Sequence, residues 1–166
     1  MKAIVAVDEK WGIGKNNDLL FNIPEDMAFF RRTTLDKVIV MGSNTLKSFP
    51  NGNPLKKRVN IVLYPGGEKR DDCTIVESLE ELSVELKKYN TEDIYIVGGA
   101  MFYRTMLPYC EEILVTKVLA DGNAEVFFEN LDKLDNFEMV FEGETIKTEN
   151  YDIKFTTYKN NKVLKF

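Results

Sequence analysis

The chain has 166 residues, 44% of them hydrophobic and 30% charged, and a formal net charge of −5. The acidic balance argues against a general nucleic-acid binder, which needs a basic face. The absence of histidine removes the commonest general base and metal ligand, and with it His-dependent triads and His-containing zinc sites.

This length suits one domain, residues 1–166, with a real core. Cys73 and Cys110 stand far apart without metal-ligand spacing and read as reduced thiols, as in a cytoplasmic protein. The apolar run at the N-terminus is too short for a signal peptide, and no segment approaches the ~20 apolar residues of a membrane helix.

Ala3 to Val7 is a continuous apolar run that suits a strand buried on both faces. Asp8 to Asp18 is polar, holds two glycines and the only tryptophan, and reads as a long loop. Such loops are often lids; a plain connector with Trp11 packed on the surface is the alternative. Pro24 is placed to open a helix, because its missing N–H would be unpaired there in any case. Glu25 and Asp26 then fall in the first turn, where carboxylates suit the helix dipole. At ~100° per residue, Ile23, Met27, Phe30 and Thr34 form one stripe, with Asp26 inside it and Glu25 outside. Asp26 has two readings: an acid at the edge of the core, or a carboxyl desolvated to handle a proton.

Lys37 to Gly42 is a second buried strand, and Ser43 to Phe49 begins a short helix straight after it. Free N–H groups and hydroxyls there would suit a phosphate, although Ser and Asn also simply cap helices. Pro50 to Pro54 is a turn cluster, Arg58 to Leu63 a third strand, Tyr64 to Arg70 a loop and Thr74 to Val76 a short strand. Ser78-Leu79-Glu80-Glu81 is a capping-box pattern opening a helix with Leu79, Leu82 and Leu86 on one side. Asp93 to Val97 is a buried strand, followed by Gly98-Gly99 and a helix to about Leu107. The glycine pair lets backbone approach a ligand closely, or serves only a tight turn. It is not the G-x-G-x-x-G dinucleotide fingerprint. Glu112 to Val118 is another strand, and Phe137 to Glu142 with Tyr151 to Tyr158 forms a terminal antiparallel pair joined by a polar loop. This alternation predicts an α/β fold: a central, mostly parallel twisted sheet of about eight strands, a C-terminal antiparallel hairpin and about four flanking helices.

From Ala3 to about Tyr158 the chain resembles dihydrofolate reductase of the bacterial chromosomal type. The resemblance rests on Ile13-Gly14-Lys15-Asn16-Asn17, Asn22-x-Pro24-x-Asp26-x-x-x-Phe30, Val40-Met41-Gly42-x-x-Thr45, Arg58-x-Asn60-Ile61, Val97-Gly98-Gly99-x-x-x-Tyr103 and Leu114-Val115-Thr116, in that order. It implies reduction of 7,8-dihydrofolate by NADPH, within one-carbon metabolism, by a monomer open to antifolate inhibitors. Asp26, Phe21 and Thr116 would be the catalytic set. Asp26 would bond pteridine N3 and the 2-amino group, favouring protonation at N5, with Thr116 bridging to it. Ile4 and Val97 would offer carbonyls to the pteridine. Met27, Phe30, Phe49 and Leu55 would wall the substrate, with Val5, Ala6, Leu19, Arg31, Ser48 and Tyr103 near it. Arg58 would pair with the glutamate α-carboxylate, a contact suited to a planar guanidinium.

The cofactor would lie on Ala6, Ile13, Gly14, Asn17, Asp18 and Leu19, then on Gly42, Ser43, Asn44 and Thr45. Leu63, Tyr64, Pro65, Val97, Gly98, Gly99, Ala100, Met101, Phe102 and Tyr103 would complete its site. Residues 11–21 would form the lid. No metal is implied, and a bound cofactor carries the redox chemistry in such enzymes.

Some positions depart from the family's usual residues. Leu20 and Phe21 stand where Pro and Trp are usual, and Ala124-Glu125-Val126 where Gly-Asp-Thr steadies the lid. Ser43, Glu77 and Met101 stand where bases are common. Selectivity between NADPH and NADH is thereby left open, with Lys69 and Arg70 as substitute cations to look for. The competing readings are a pyrimidine reductase of riboflavin synthesis, which lacks this acid after an Asn-x-Pro helix start, and a nucleotide-binding module without turnover.

Overall fold

A computed structural model describes residues 1–166. The strands in chain order are β1 (Lys2–Val7), β2 (Gly12–Lys15), β3 (Asp18–Leu19), β4 (Val38–Gly42), β5 (Val59–Leu63), β6 (Thr74–Val76), β7 (Ile94–Gly98), β8 (Glu112–Val118), β9 (Val126–Phe127), β10 (Phe137–Glu142), β11 (Ile146–Lys147) and β12 (Asp152–Asn160). The helices are α1 (Pro24–Thr34), α2 (Ser43–Ser48), α3 (Leu79–Leu86) and α4 (Ala100–Met106).

The main sheet runs in the order β10-β12-β8-β1-β7-β4-β5-β6, with β11 added to β12. From β8 to β6 every pairing is parallel, and β12 pairs antiparallel with both β8 and β10. The expected mostly parallel sheet with an antiparallel C-terminal hairpin is therefore present. The hairpin carries an irregularity between Met139 and Phe141 and the additional strand β11, which the polar connecting loop did not suggest.

Strand alternation divides the core between two faces. Val38, Val40, Ile61, Ile94 and Ile96 meet Leu82 and Leu86 of α3 and Phe102 and Met106 of α4, in a cluster of 24 buried residues. Ile4, Ile39, Met41, Val62, Ile75 and Tyr95 turn the other way, in a cluster of only 7 buried residues. Around that thinner layer lie the partly buried Phe29, Phe30, Phe49 and Leu55. Helices α3 and α4 cover one face; Leu46 of α2 and Phe29 and Phe30 of α1 pack on the other.

Three sequence expectations need correction. The stretch after β1 is not a plain loop: β2 and β3 form a hairpin that pairs with the distant β9 in a sheet of order β3-β2-β9. Its tip is Asn16-Asn17, both with positive φ (53° and 60°), between the paired Lys15 and Asp18. That is the backbone of a two-residue hairpin turn, which asparagine tolerates. Trp11 is not on the surface but only 6% exposed, held by Phe128 and Tyr158. Leu79, at the first position of α3, is 40% exposed, and only Leu82 and Leu86 of that side are buried.

Candidate active site

Helix α1 begins as its sequence implies. Pro24 occupies the first position, Ile23 before it is buried, and no side chain caps the start. Asp26, in the first turn, comes to rest half-buried on the thinner sheet face. Across from it, Thr116 on β8 is paired in register with Ala6 on β1. Leu114, two residues earlier, packs on the thinner face, so alternation brings the Thr116 hydroxyl to the same side. Thr116 Oγ1 donates to Asp26 Oδ1 at 2.7 Å, while Oδ2 accepts no hydrogen bond from the protein. Burial raises the Asp26 carboxyl above its ordinary 3.8, and the Thr116 hydrogen bond partly opposes that. No cation pairs with it. An acid with one neutral donor and one free oxygen can accept two hydrogen bonds side by side from an amidine-like ligand edge.

Arg58 marks the far end of α1. Its Nε donates to the Thr34 hydroxyl (3.1 Å), Nη2 to the Arg31 carbonyl (2.7 Å) and Nη1 to the Lys56 carbonyl (2.7 Å). Burial lowers this guanidinium from its ordinary value, with Asp36 acting in the opposite direction. Asn60 braces the approach: its side chain accepts from Leu55 N–H and donates to the Leu55 and Arg58 carbonyls. With a rise of about 1.5 Å per residue, Asp26 and the residues tethering Arg58 lie on the order of 10 Å apart along α1. An acid on α1 and a cation tethered to its far end therefore stand at opposite ends of the helix, with the partly buried Phe30, Phe49 and Leu55 on the same sheet face.

At the carboxyl ends of β7 and β4, backbone comes close to backbone. Gly98 has φ +141°, and a Cβ there would lie 2.8 Å from Thr45 Oγ1, so only glycine fits. The Gly98–Gly99 peptide bond is cis. The starts of α2 and α4, at Gly42 and Gly99, have no side-chain cap, whereas Ser78 caps α3 through the Glu81 N–H at 3.1 Å. The carboxyl edge of a parallel sheet is where nucleotide ligands bind. This glycine step, the Thr45 hydroxyl and the uncapped N–H groups fit the pyrophosphate of a nicotinamide nucleotide.

Sequence reasoning missed Asp8. It is 3% exposed, and its two oxygens accept from three backbone N–H groups. Oδ1 takes those of Lys10 (2.9 Å) and Gly12 (2.7 Å), and Oδ2 that of Gly122 (3.0 Å). Lys10 adds an ion pair to Asp121 at 2.8 Å. Asp8 thus fastens the base of the β2–β3 hairpin to the loop before β9. At the tip, Glu125 Oε1 accepts from Asn16 N–H at 2.8 Å, and Glu125 N–H donates to the Gly14 carbonyl at 2.9 Å. No local signal marks it, because its third donor, Gly122, lies 114 residues along the chain.

Other expected site residues distribute unevenly. Ile13, Leu63, Tyr64 and Val97 are partly buried beside the core clusters. Tyr103 is buried and donates to the Ile4 carbonyl at 2.6 Å, so that carbonyl already carries one hydrogen bond. Phe102 is 6% exposed within the core, so its side chain is turned away from any ligand at the rim. Ser48 Oγ is turned onto the Thr45 carbonyl at 2.6 Å. Leu19, Met27 and Met101 are exposed. Phe21 packs edge-on against Tyr151, with ring centroids 4.7 Å apart, in a small cluster with Ile23, Val118 and Ile153. Leu20 lies against Gly122, where a Cβ would come within 2.6 Å of it.

A half-buried acid at a helix start, a tethered arginine at its end and a glycine step at the carboxyl edge of a parallel sheet are features that suit a nucleotide-dependent reductase. The family model described as dihydrofolate reductase matches residues 1–160. The chain is 31% identical over 159 residues to dihydrofolate reductase of Bacillus subtilis (strain 168), covering 94% of this chain and 92% of that one. It is 34% identical over 159 residues to that of Staphylococcus haemolyticus, covering 94% and 93%. It is 30% identical over 142 residues to that of Enterococcus faecium, covering 85% and 84%. The chain belongs to the dihydrofolate reductase family, whose members are oxidoreductases that use a nicotinamide nucleotide.

Proposed function

We propose that this chain reduces 7,8-dihydrofolate to 5,6,7,8-tetrahydrofolate with NADPH as reductant, acting as a monomeric cytoplasmic enzyme formed by residues 1–166. The observation that carries the reading is the Asp26–Thr116 pair at 2.7 Å, set at one end of α1 with Arg58 tethered at the other. Dihydrofolate carries hydrogen-bond donors on its pteridine and a carboxylate on its glutamate, at opposite ends of a flat apolar middle. That polarity matches the two ends of α1.

Asp26 accepts from pteridine N3–H and the 2-amino group, and Thr116 fixes the plane of the carboxyl. Phe30, Phe49 and Leu55 hold the ring system and benzoyl group, and Arg58 receives the α-carboxylate as a planar pair. A bound nicotinamide nucleotide supplies the hydride that reduces C6 of the C6=N5 bond. The proton goes to N5, brought by water, and the negative charge of Asp26 favours the protonated form. The β2–β3 hairpin limits water over the reacting carbon. Antifolate inhibitors with the same donor edge would compete at Asp26.

The test is loss of NADPH absorbance on addition of dihydrofolate to the purified chain. No dihydrofolate-dependent oxidation across pH 5–8 would sink the proposal.

A further inference from the structure

The strand order sets the direction in which a dinucleotide must run. The Asp26–Thr116 pair lies over β8 and β1, and the glycine step lies at the end of β7. Beyond it the order continues β4, β5, β6, all parallel, so Ser43, Tyr64 and Glu77 follow the last residues of successive strands along one rim. The paired residues Gly42↔Leu63 and Leu63↔Val76 keep these three strand ends level. Neighbouring strands are about 4.8 Å apart, so a nucleotide with its reacting ring near β1 and its pyrophosphate at β7 places its adenosine ribose over β5 and β6.

The groups at that end are unsuited to an added phosphate. Glu77 is exposed, and its Oε1 accepts from Gly66 N–H at 3.2 Å, which holds the carboxylate against the turn after β5. Glu81 brings a second carboxylate, accepting from Glu77 N–H at 2.9 Å. The nearby cations are engaged elsewhere: Lys69 on the Ile75 carbonyl (2.8 Å) and Arg70 on both oxygens of Asp72 (2.8 and 2.7 Å). Lys47, 5.0 Å from the Tyr64 ring centroid, remains to meet an anion. A phosphate monoester carries about −1.5 to −2 charge at neutral pH and would face the two carboxylates. A free ribose hydroxyl can instead donate to one of them, the arrangement by which acidic residues select the unphosphorylated dinucleotide.

We propose that Glu77 is a specificity-determining residue of the cofactor site, accepting from the 2′-hydroxyl of the adenosine ribose and making NADH a working reductant beside NADPH. This rests on the reading of the chain as a nicotinamide-dependent dihydrofolate reductase. Lys47 keeps the phosphorylated form usable, and Glu77 removes most of its advantage.

The test compares kcat/KM for NADPH and NADH in the wild type, Glu77→Gln and Glu77→Lys, with NADP+ and NAD+ binding measured by calorimetry on the same proteins. The wild type is expected to prefer NADPH by less than about tenfold. Glu77→Lys is expected to raise that ratio by about tenfold or more, lowering KM for NADPH while raising it for NADH, with Glu77→Gln between the two. Opposite changes for the two cofactors cannot come from a general loosening of the fold. A wild-type preference for NADPH above about a hundredfold, or a shift of less than about twofold in Glu77→Lys, overturns the proposal. If neither dinucleotide supports reduction of dihydrofolate, the functional reading fails, and the NADP+ to NAD+ binding ratio still decides the role of Glu77. Binding of neither dinucleotide overturns both.

Discussion

Asp8 and Asp26 lie at the two ends of one segment, between the first strand and the first helix, and are held in opposite ways. Asp8 is shut away from water, with both oxygens on backbone N–H groups from two parts of the chain. Asp26 is half-buried, has one hydroxyl donor and keeps an oxygen free. A carboxylate whose lone pairs are filled by backbone organises structure. One that burial has raised and the protein has left half-satisfied is poised for a ligand. Burial alone would have ranked the wrong acid first.

The largest effect that can break this comparison is on turnover. Asp26→Asn keeps the shape and an acceptor for Thr116 but removes the charge, so kcat at neutral pH should fall by about 10²–10⁴. Stability should move the other way. The folded-state value of Asp26 lies above 3.8, so the native state binds more protons than the unfolded chain between 3.8 and that raised value. Stability contributed at this site is therefore lost as pH rises through that window, and it stays lost above it. Thermal unfolding from pH 3 to 8 should show the wild type losing stability relative to Asp26→Asn as pH rises. A mutant that was both fully active and less stable at pH 7 would reverse the assignment.

Asp8→Asn should do the converse. An amide matches Asp8 in volume but replaces one acceptor by a donor facing a backbone N–H. The cost is about 2–4 kcal/mol in denaturant unfolding. Amide exchange at Gly122 should accelerate most, because an NH2 in place of Oδ2 costs one N–H its acceptor, whereas in place of Oδ1 it would cost two. Unchanged stability would show that the three hydrogen bonds contribute little.

The contrast also explains what could be read from the chain beforehand. The start of α1 was legible because Pro24 and the acids after it encode a helix start locally, and the buried strands were legible from unbroken apolar runs. The Asp26–Thr116 pair needed 90 residues of separation to be bridged, and only resemblance supplied it. Asp8 was not legible, because Asp8-Glu9-Lys10 has the composition of a solvated loop and its third donor, Gly122, lies 114 residues away. The hairpin was hidden for a related reason. Asn16-Asn17 is a weaker turn signal than Asn-Gly, and β2 needs the distant β9 to complete its sheet. The burial of Trp11 likewise depends on Phe128 and Tyr158, and on Lys117 lying 5.3 Å from the tryptophan ring.

A smaller effect sharpens the role of the single donor to Asp26. Thr116→Val is nearly isosteric and removes the hydroxyl whose hydrogen bond lowers the acid, so the Asp26 carboxyl should titrate higher still. Its ¹³C resonance should report that directly, with a loss of about 1 kcal/mol in stability. On the proposed function an ionised Asp26 pairs with the pteridine donors, so the acidic limb of substrate binding should move to higher pH in parallel. An unmoved titration would mean that Thr116 only fills space.

Glu125 provides the smallest effect and completes the series. Like Asp8 it accepts from backbone, at Asn16 N–H, but this contact is exposed and water can replace it. Glu125→Ala should therefore cost no more than about 0.5–1 kcal/mol. Its influence should appear in motion: faster amide exchange at the tip of the hairpin and weaker retention of the cofactor, with the Asp26 titration unchanged. The same hydrogen bond that holds structure when buried then regulates opening when exposed. If Glu125→Ala instead matched Asp8→Asn in global stability, solvent exposure would not be what separates the two carboxylates, and the lid would be part of the core.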